Sequence, residues 1–308
     1  MKGAESVSGL VIAMFGPTAS GKTAVSEALA DRIPAEIVSA DAMQAYRGLP
    51  LLTNQSVGPA RLVAVWPLEH EGSVGEYERL AHEAIDDILA ASRTPIVVGG
   101  TGLYLRAALA DLELPPPARS GGRERFERLY DELGPEGAHA LLAERDAAAA
   151  AAVHANDRRR VVRALELVEA GSSLAPGRSR LWSEHMRHPT LLFGLDVPRH
   201  VLEARIAART REMFERGVEA EVQRALARPL SATARKIIGL REVAELPREE
   251  AIAALERRTL QYAAYQRKWL RRLPGVVSLA ADRPPGELAD EILEVARSRQ
   301  RLSAHRAG

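Results

Sequence analysis

The stretch Gly16-Pro-Thr-Ala-Ser-Gly-Lys-Thr23 decides the fold, because it fits the phosphate-binding pattern G-x-x-x-x-G-K-[ST], the P-loop. Its glycines allow backbone N–H groups to point at phosphate oxygens, and the helix that follows offers its positive N-terminal end. Lys22 adds a point charge, and the Thr23 hydroxyl is placed to bind Mg²⁺. The loop therefore predicts a site for a polyphosphate and a metal ion. The alternative is an ordinary flexible turn between a strand and a helix.

The apolar runs around this loop predict a parallel sheet. The predicted strands are 10–15, 36–41, 95–98, 191–196 and 276–279. Apolar residues recur at helical spacing between them, which predicts helices over 24–33, 77–89, 201–226 and 249–273. Continuous apolar strands separated by helices are typical of α/β proteins whose parallel sheet is covered on both faces. With the P-loop, this pattern predicts a P-loop NTPase-like sheet flanked by helices.

Residues 123–168 contain no strand candidate and are rich in Ala, Arg, Glu and Leu, which favours helices. Pro115-Pro-Pro117 and Gly121-Gly122 mark the exit from the sheet. We therefore expect a P-loop catalytic core formed by 1–118 and 190–308, and a mostly helical insertion domain formed by 119–189.

Composition excludes several classes of protein. The 308 residues include 42 Lys+Arg and 41 Asp+Glu, a net charge of +1, so an anion site must come from a local cluster of cations. The absence of cysteine excludes disulfide scaffolds, thiolate zinc sites, iron–sulfur clusters and cysteine nucleophiles. No apolar run near the N-terminus has the length of a membrane span or a signal-peptide core. We expect a cytoplasmic protein that does not bind membranes.

Polar residues at strand ends are candidate site residues, because ligands of parallel sheets gather at the carboxyl ends of the strands. Asp41 ends the second predicted strand, where an ionised carboxylate can accept a proton or hold metal, or can simply cap a turn or helix. Gly99-Gly-Thr-Gly102 follows the third strand, where Thr101 offers a hydroxyl to a phosphate, unless this is a plain tight turn. Asp196 is interpreted as the cap of the helix after Pro198 rather than as a metal ligand.

Two basic clusters are candidates for RNA contacts. A helix over 156–163 would place Arg159 and Arg163 on the same face, with a solvated surface as the alternative. The stretch 255–272 combines arginines and Lys268 with Tyr262 and Trp269 at helical spacing. It fits either phosphate clamping with base stacking or a core stripe with basic flanks.

Taken together, these motifs closely resemble tRNA dimethylallyltransferases. The resemblance rests on the P-loop, on Ser39-Ala-Asp-Ala-Met-Gln-Ala-Tyr-Arg-Gly48 and on Val98-Gly-Gly-Thr-Gly-Leu-Tyr104, in that order and spacing. It runs from about residue 10 to 272 and includes further weak matches. These are Asn156-Asp157 with Arg160, 162–165, Ile238-Gly239 with Arg241, and Gln266 with Trp269.

The resemblance implies transfer of a dimethylallyl group from dimethylallyl diphosphate to the exocyclic N6 amine of the adenosine 3′ of the tRNA anticodon, with release of pyrophosphate. It implies that Asp41 is the general base and that Lys22 and Thr101 are also catalytic. The residues that would cradle the diphosphate are Gly16, Pro17, Thr18, Ala19, Ser20, Gly21, Lys22 and Thr23, with Mg²⁺ on Thr23 as cofactor. The residues that would contact tRNA are Asp41, Ala42, Met43, Gln44, Thr101, Arg123, Arg159, Arg160, Arg163, Lys236 and Arg241. The expected partner is the tRNA anticodon stem-loop, and the expected state is a monomer.

The chain departs from the family pattern outside the core motifs. Leu51-Leu-Thr-Asn-Gln55 replaces a Gly-Thr-Ala-Lys-Pro-like stretch, and Ala60-Arg61 replaces a His-His pair. Five single departures are Ala64 for an acidic residue, Lys236 for Arg, Leu240 for Tyr, and Leu260 and Tyr265 for basic residues.

Two other functions fit parts of the sequence. A small-molecule kinase would use the same P-loop, but no Arg-rich lid over ATP is recognisable. An RNA-binding protein with a degenerate fold would explain the basic clusters, but Lys22, Thr23 and Asp41 are intact.

Overall fold

The computed structural model describes residues 9–55, 58–112, 114, 122–174 and 180–307. The chain divides into two compact units, one formed by residues 1–111 with 184–308 and the other by residues 112–183. The expected domain boundary between 118 and 119 lies outside the described residues.

The larger unit is built on a six-stranded sheet in which every neighbouring pair is parallel, in the order β3–β2–β4–β1–β5–β6. Its strands are β1 (Val11–Phe15), β2 (Ala35–Ser39), β3 (Ala60–Arg61), β4 (Thr94–Gly99), β5 (Thr190–Asp196) and β6 (Val276–Ala280). The central strand β1 is apolar throughout and fully buried, as expected of a strand covered on both faces. The predicted α/β parallel sheet of P-loop NTPase-like type is confirmed.

Helices cover both faces of this sheet. In chain order the helices among the described residues are α1 (Lys22–Ala30), α2 (Val74–Ala90), α3 (Gly102–Leu109), α4 (Gly122–Arg145), α5 (Ala147–Ala152), α6 (Arg158–Glu169), α7 (Arg199–Glu215), α8 (Val218–Leu226), α9 (Leu240–Glu245), α10 (Arg248–Leu270) and α11 (Pro285–Ala307). On one face, apolar residues of α1, α7 and α11, including Leu29, Leu202 and Ile292, pack with Phe193 of β5. On the other face, α2 and α3 lie against β4. Because β2, β4 and β1 are adjacent and parallel, their carboxyl ends lie at the same edge of the sheet.

The structure corrects the predicted helix over 201–226. Two helices, α7 and α8, replace it, because Gly217 between them has a φ of +87°, in the left-handed region that glycine adopts freely. The amide of Gly217 donates to the Phe214 carbonyl oxygen at 3.2 Å, which ends α7. Four further elements were not predicted, namely β3, α3, α9 and α11.

The smaller unit consists of α4, α5 and α6, apart from a short 3₁₀ turn at Arg180–Trp182. Its own core contains Phe126, Leu142 and Leu165. A kink divides α4 at Gly134, where φ is +70° directly before Pro135. This unit is helical, as its composition predicts.

No helix within the described ranges combines the length and apolarity that crossing a membrane requires.

The close approach of β2 and β4 leads to a stability prediction at Gly99. A Cβ added there would lie 2.1 Å from the carbonyl oxygen of Ala40, which is backbone and cannot rotate away. We expect Gly99→Ala to lower the free energy of unfolding by about 3 kcal/mol, measured by urea denaturation. Gly58→Ala is the matched control, because its Cβ would meet its nearest atom at an ordinary 3.5 Å. Equal stability of the two variants would contradict the prediction.

Candidate active site

The P-loop joins β1 to α1 and wraps tightly around its own lysine. Ala19 and Gly21 have positive φ values of 63° and 90°, so the chain turns sharply before α1 begins at Lys22. The Lys22 ammonium donates to the carbonyl oxygens of Gly16 and Pro17 at 2.9 and 2.8 Å. The lysine is therefore held at the loop.

A cavity of about 370 Å³ lies beside the P-loop and contains both Lys22 and Asp41. Its remaining lining residues are Thr18, Ala19, Gly21, Thr23, Ala24, Met43, Gln44, Leu52, Thr53, Asn54, Val98, Gly99, Arg205, Arg209, Thr210, Met213, Ile238, Leu255, Thr259, Tyr262 and Gln266. All of them belong to the larger unit. One space thus holds an anion cradle and a carboxylate, and its volume is typical of small-molecule sites.

Asp41 both stabilises a turn and faces this cavity. Its Oδ1 accepts a hydrogen bond from the backbone amide of Met43 at 2.9 Å, as a turn-capping aspartate would. Burial raises the pKa of the Asp41 carboxyl, and the Met43 amide and the positive charges of Lys22 and Arg209 oppose that rise. A carboxylate with a raised pKa is a better proton acceptor than an exposed one.

The pKa of Lys22 is shifted in the opposite direction to that of Asp41. Burial lowers the pKa of its ammonium group to about 8, with the Asp41 carboxylate opposing the shift and Arg209 adding to it. An anion bound in the cradle would restore the protonated state, because it adds negative charge next to the ammonium.

Sequence reasoning missed Arg209, a second cation that lines the cavity and contacts the P-loop. It projects from α7, and its Nη2 donates to the Thr18 hydroxyl at 2.8 Å. Burial lowers its pKa, and Asp41 opposes that shift. The signal was present in the sequence: Arg209 interrupts the apolar positions Leu202, Ile206 and Met213 at helical spacing, where a charge is unexpected.

Helix α10 forms the wall that connects the P-loop to the β4 turn. Gln266 is 1% exposed; its Oε1 accepts from the Thr18 amide at 2.7 Å, and its Nε2 donates to the Gly100 carbonyl at 2.9 Å. One turn earlier, the Tyr262 hydroxyl is 3.1 Å from Thr101 Oγ1. The stripe predicted in this helix is therefore part of the cavity wall as well as of the packing.

The glycines after β4 serve contacts within the protein. A Cβ on Gly100 would lie 2.2 Å from Gln266 Nε2, and one on Gly102 would lie 2.1 Å from Trp269. The turn is thus built for the close approach of α10. Thr101 itself does not line the cavity; it contacts Tyr262 and lies 3.4 Å from the Ala42 amide.

The interpretation of Asp196 as a helix cap is wrong. The N-cap of α7 is Pro198, which has no side-chain cap, and the Asp196 carboxylate instead forms an ion pair with Arg267 at 3.6 Å. No three His, Cys, Asp or Glu side chains cluster to hold a metal ion in the part of the chain that the structure describes.

Two protein families match the part of the chain that contains this site. The sequence model described as isopentenyl transferase matches residues 9–56, and the one described as IPP transferase matches residues 44–273, from Gln44 through α10. The chain belongs to the IPP transferase family.

Individual relatives in the IPP transferase family agree. The chain is 38% identical to a tRNA dimethylallyltransferase of Salinispora tropica, with 96% of this chain and 95% of that protein covered. It is 40% identical to one of Streptomyces coelicolor, over 86% of this chain and 88% of that protein. A solved tRNA isopentenylpyrophosphate transferase of Bacillus halodurans has a TM-score of 0.68 and 30% identity, and covers 96% of this chain and 100% of that one.

Some family positions that are altered in this chain lie away from the cavity. Ala60 and Arg61 form the edge strand β3, where Arg61 pairs with Glu36 at 2.7 Å. Leu240 is buried at the start of α9, and Tyr265 is 54% exposed. By contrast, Leu52, Thr53 and Asn54 of the altered stretch 51–55 do line the cavity.

The residues assigned to tRNA by resemblance fall into different settings. In the larger unit, Asp41, Met43 and Gln44 line the cavity, whereas Ala42, Lys236 and Arg241 do not. Arg241 is exposed and pairs with Glu245 at 2.8 Å, which raises the pKa of its guanidinium.

Four of the residues assigned to tRNA by resemblance are arginines of the smaller unit, and they differ in their partners. Arg123 pairs with Glu127 at 3.3 Å, and Arg163 pairs with the buried Glu166 at 3.2 Å. Arg159 and Arg160 are exposed, and neither side chain forms an ion pair with the described residues. Of these four arginines, Arg159 and Arg160 are therefore the ones with a guanidinium available to a phosphate.

Proposed function

We propose that the protein transfers the dimethylallyl group of dimethylallyl diphosphate to N6 of the adenosine 3′ of the anticodon in tRNA, and releases pyrophosphate. The observation that carries the proposal is that Lys22 of the P-loop and Asp41 line one cavity. The relatives are named tRNA dimethylallyltransferases, which supports tRNA as the acceptor molecule and dimethylallyl as the group transferred.

In this reaction the bond between C1 of the allyl group and the diphosphate oxygen breaks, and a bond between C1 and adenine N6 forms. Lys22, Arg209 and the P-loop amides bind the diphosphate and stabilise the negative charge on departing pyrophosphate. The Asp41 carboxylate takes the N6 proton. The adenine must leave the base stack to enter the cavity, where Met43 and Gln44 lie next to Asp41.

Mg²⁺ is the proposed cofactor. The donor set fits a P-loop site, because Thr23 offers one hydroxyl at the start of α1 while Mg²⁺ usually keeps water and takes substrate phosphate oxygens as its other ligands. When bound, Mg²⁺ supplies positive charge that neutralises the diphosphate.

The proposal also includes the anticodon stem-loop as the partner of the insertion (119–189), a monomeric state and action in the cytoplasm. Every group named in the transfer step lies in the larger unit of a single chain, which supports a monomer.

The testing experiment is incubation with radiolabelled dimethylallyl diphosphate, Mg²⁺ and an unmodified tRNA that carries adenosine 3′ of the anticodon, without ATP. We expect label in the tRNA and an equal amount of pyrophosphate. A matched tRNA with guanosine at that position is the control and should take no label. ATP turnover with a small acceptor, in place of label transfer, would support the alternative of a small-molecule kinase.

The shifted pKa values of Asp41 and Lys22 predict a bell-shaped dependence of kcat/KM on pH. Asp41 must be ionised, so kcat/KM for the donor rises with pH through a pKa that burial places above its usual value. Lys22 must be protonated, so kcat/KM falls as the pH rises through about 8, the pKa of the free enzyme. We expect Lys22→Arg to remove the alkaline limb, because a guanidinium stays protonated there. An alkaline limb unchanged in that variant would show that it does not belong to Lys22.

Arg159 and Arg160 of α6, which form no ion pair with the described residues, lead to a prediction about tRNA binding. Arg159→Ala and Arg160→Ala should each weaken tRNA binding. Each should also reduce the slope of log K against log[salt] by about one, which corresponds to the loss of one phosphate contact. Arg125→Ala is the control, because Arg125 is already paired with Glu169. Filter binding at several salt concentrations measures the affinity and the slope for each variant. An equal loss of tRNA affinity in Arg125→Ala would contradict the prediction that Arg159 and Arg160 are the ones that contact phosphate.

A further inference from the structure

A single helical turn between β2 and β3 forms part of the cavity wall. Within it, the Thr53 amide donates to the Leu49 carbonyl at 3.0 Å and the Asn54 amide donates to the Leu51 carbonyl at 3.2 Å. The first amides of such a turn have no acceptor inside it. The turn thus depends on an acceptor from elsewhere for Leu51 and Leu52.

Glu221 of α8 provides both acceptors from 170 residues away. Its Oε2 accepts from the Leu51 amide at 2.9 Å, and its Oε1 accepts from the Leu52 amide at 2.8 Å. Glu221 is 3% exposed, so its carboxylate is removed from water and both of its oxygens are used in these bonds. The bonds fix the turn to α8 at two adjacent points.

The turn formed by residues 49–55 contains or contacts two residues that line the cavity, Leu52 and Gln44. Leu52 is confined, since a Cβ on Gly239 would lie 2.7 Å from the Cδ1 atoms of both Leu52 and Leu255. On the turn's other side, Gln44 Nε2 donates to the Asn54 carbonyl at 2.9 Å. A displaced turn would therefore move Leu52 and remove one of the hydrogen bonds that orient the Gln44 amide.

This part of the wall is distant from the diphosphate cradle. Gln266 of α10 bonds to Thr18 of the P-loop, whereas Leu255, which packs near Leu52, precedes Gln266 by eleven residues on the same helix. Eleven residues correspond to about 16 Å along a helix. A change at Leu52 should thus affect the acceptor and the allyl group rather than the diphosphate.

We propose that Glu221 is a positioning residue for the transfer, which acts by holding the 49–55 turn so that Leu52 and Gln44 keep their places in the cavity; this rests on the proposed function. Glu221→Gln keeps the size of the side chain but replaces one acceptor oxygen by an NH₂ donor, so one of the two amides loses its acceptor.

The test compares Glu221→Gln with Glu219→Gln, the same change on the exposed side of the same helix, where Glu219 pairs with Arg248. For Glu221→Gln we expect kcat/KM for tRNA to fall by about tenfold to a hundredfold. Affinity for inorganic pyrophosphate, measured by calorimetry, should stay within twofold. Hydrogen exchange should accelerate in peptides covering 49–55 and not in those covering the P-loop.

A second variant separates positioning from folding. Leu52→Ala leaves both Glu221 bonds possible, and we expect it to lower kcat/KM while keeping pyrophosphate affinity. If Glu221 acts through Leu52, the double variant should lose less than the product of the two single losses.

Equal kcat/KM for tRNA in Glu221→Gln and Glu219→Gln would overturn the positioning role. A loss of pyrophosphate affinity in Glu221→Gln as large as its loss of transfer would also overturn it. If Glu221→Gln does not fold, additive losses in Leu52→Ala combined with Glu221→Asp would overturn it. Absence of transfer by the wild-type chain would reject the proposed function instead. Hydrogen exchange in peptides covering 49–55 would still show whether Glu221 holds the turn.

Discussion

Asp41→Asn is expected to reduce the rate of transfer by about a hundredfold to ten-thousandfold, the range that a general base contributes. The amide has nearly the shape of the carboxylate and its oxygen can still accept from the Met43 amide, which lies 2.9 Å from Asp41 Oδ1. It cannot accept the N6 proton. Single-turnover transfer of label from dimethylallyl diphosphate to tRNA measures the loss.

Binding of the substrates distinguishes this loss from misfolding. We expect tRNA affinity to be retained within a few-fold, since Asp41 is proposed to act on a proton. Asp87→Asn is the control, because Asp87 is an exposed carboxylate on α2 that pairs with Arg61. Unchanged transfer by Asp41→Asn would remove Asp41 from the role of base.

Lys22→Met is expected to lower kcat by about a hundredfold to a thousandfold, as removal of one preorganised donor to a developing anion does in other enzymes. The lysine is held by the Gly16 and Pro17 carbonyls in the same cavity as Asp41, so its charge is already in place before the donor binds. Affinity for inorganic pyrophosphate should fall together with kcat. Rapid-quench kinetics and calorimetry measure the two effects.

The control for Lys22 is Arg32→Met. Arg32 lies just beyond the end of α1, pairs with Asp290 and does not line the cavity. It should leave both kcat and pyrophosphate affinity near those of the wild type. A Lys22→Met variant that binds pyrophosphate as the wild type does would contradict a diphosphate at the P-loop.

Much of the larger unit could be predicted from the sequence because its signals are local. The P-loop motif implies a strand before it and a helix after it, which are β1 (Val11–Phe15) and α1 (Lys22–Ala30). Continuous apolar runs such as that of β4 are typical of buried parallel strands. The two-residue strand β3 gave no such run, because it is short and, in the part of the chain that the structure describes, lies at the sheet edge next to β2. Gly217 was a readable stop signal inside 201–226, and the apolar periodicity on both sides of it concealed the break.

The parts of the site that could not be predicted depend on long-range contacts. Helical spacing places Glu221, unlike Glu219, on the face of α8 that carries Val218 and Ala225. Its partner Leu51 is 170 residues away, and no local pattern identifies that partner. Arg163 and Arg160 look alike in sequence. Only the fold shows that Arg163 is paired with a buried glutamate while the Arg160 side chain is exposed.

The structure of the protein bound to an anticodon stem-loop and an unreactive thiodiphosphate analogue of the donor tests the central claim most directly. The account predicts the diphosphate on the P-loop against Lys22, the flipped adenine inside the cavity, and its N6 within hydrogen-bonding distance of the Asp41 carboxylate. An adenine bound outside the cavity, or an Asp41 carboxylate that points away from N6 while the diphosphate is in place, would contradict it.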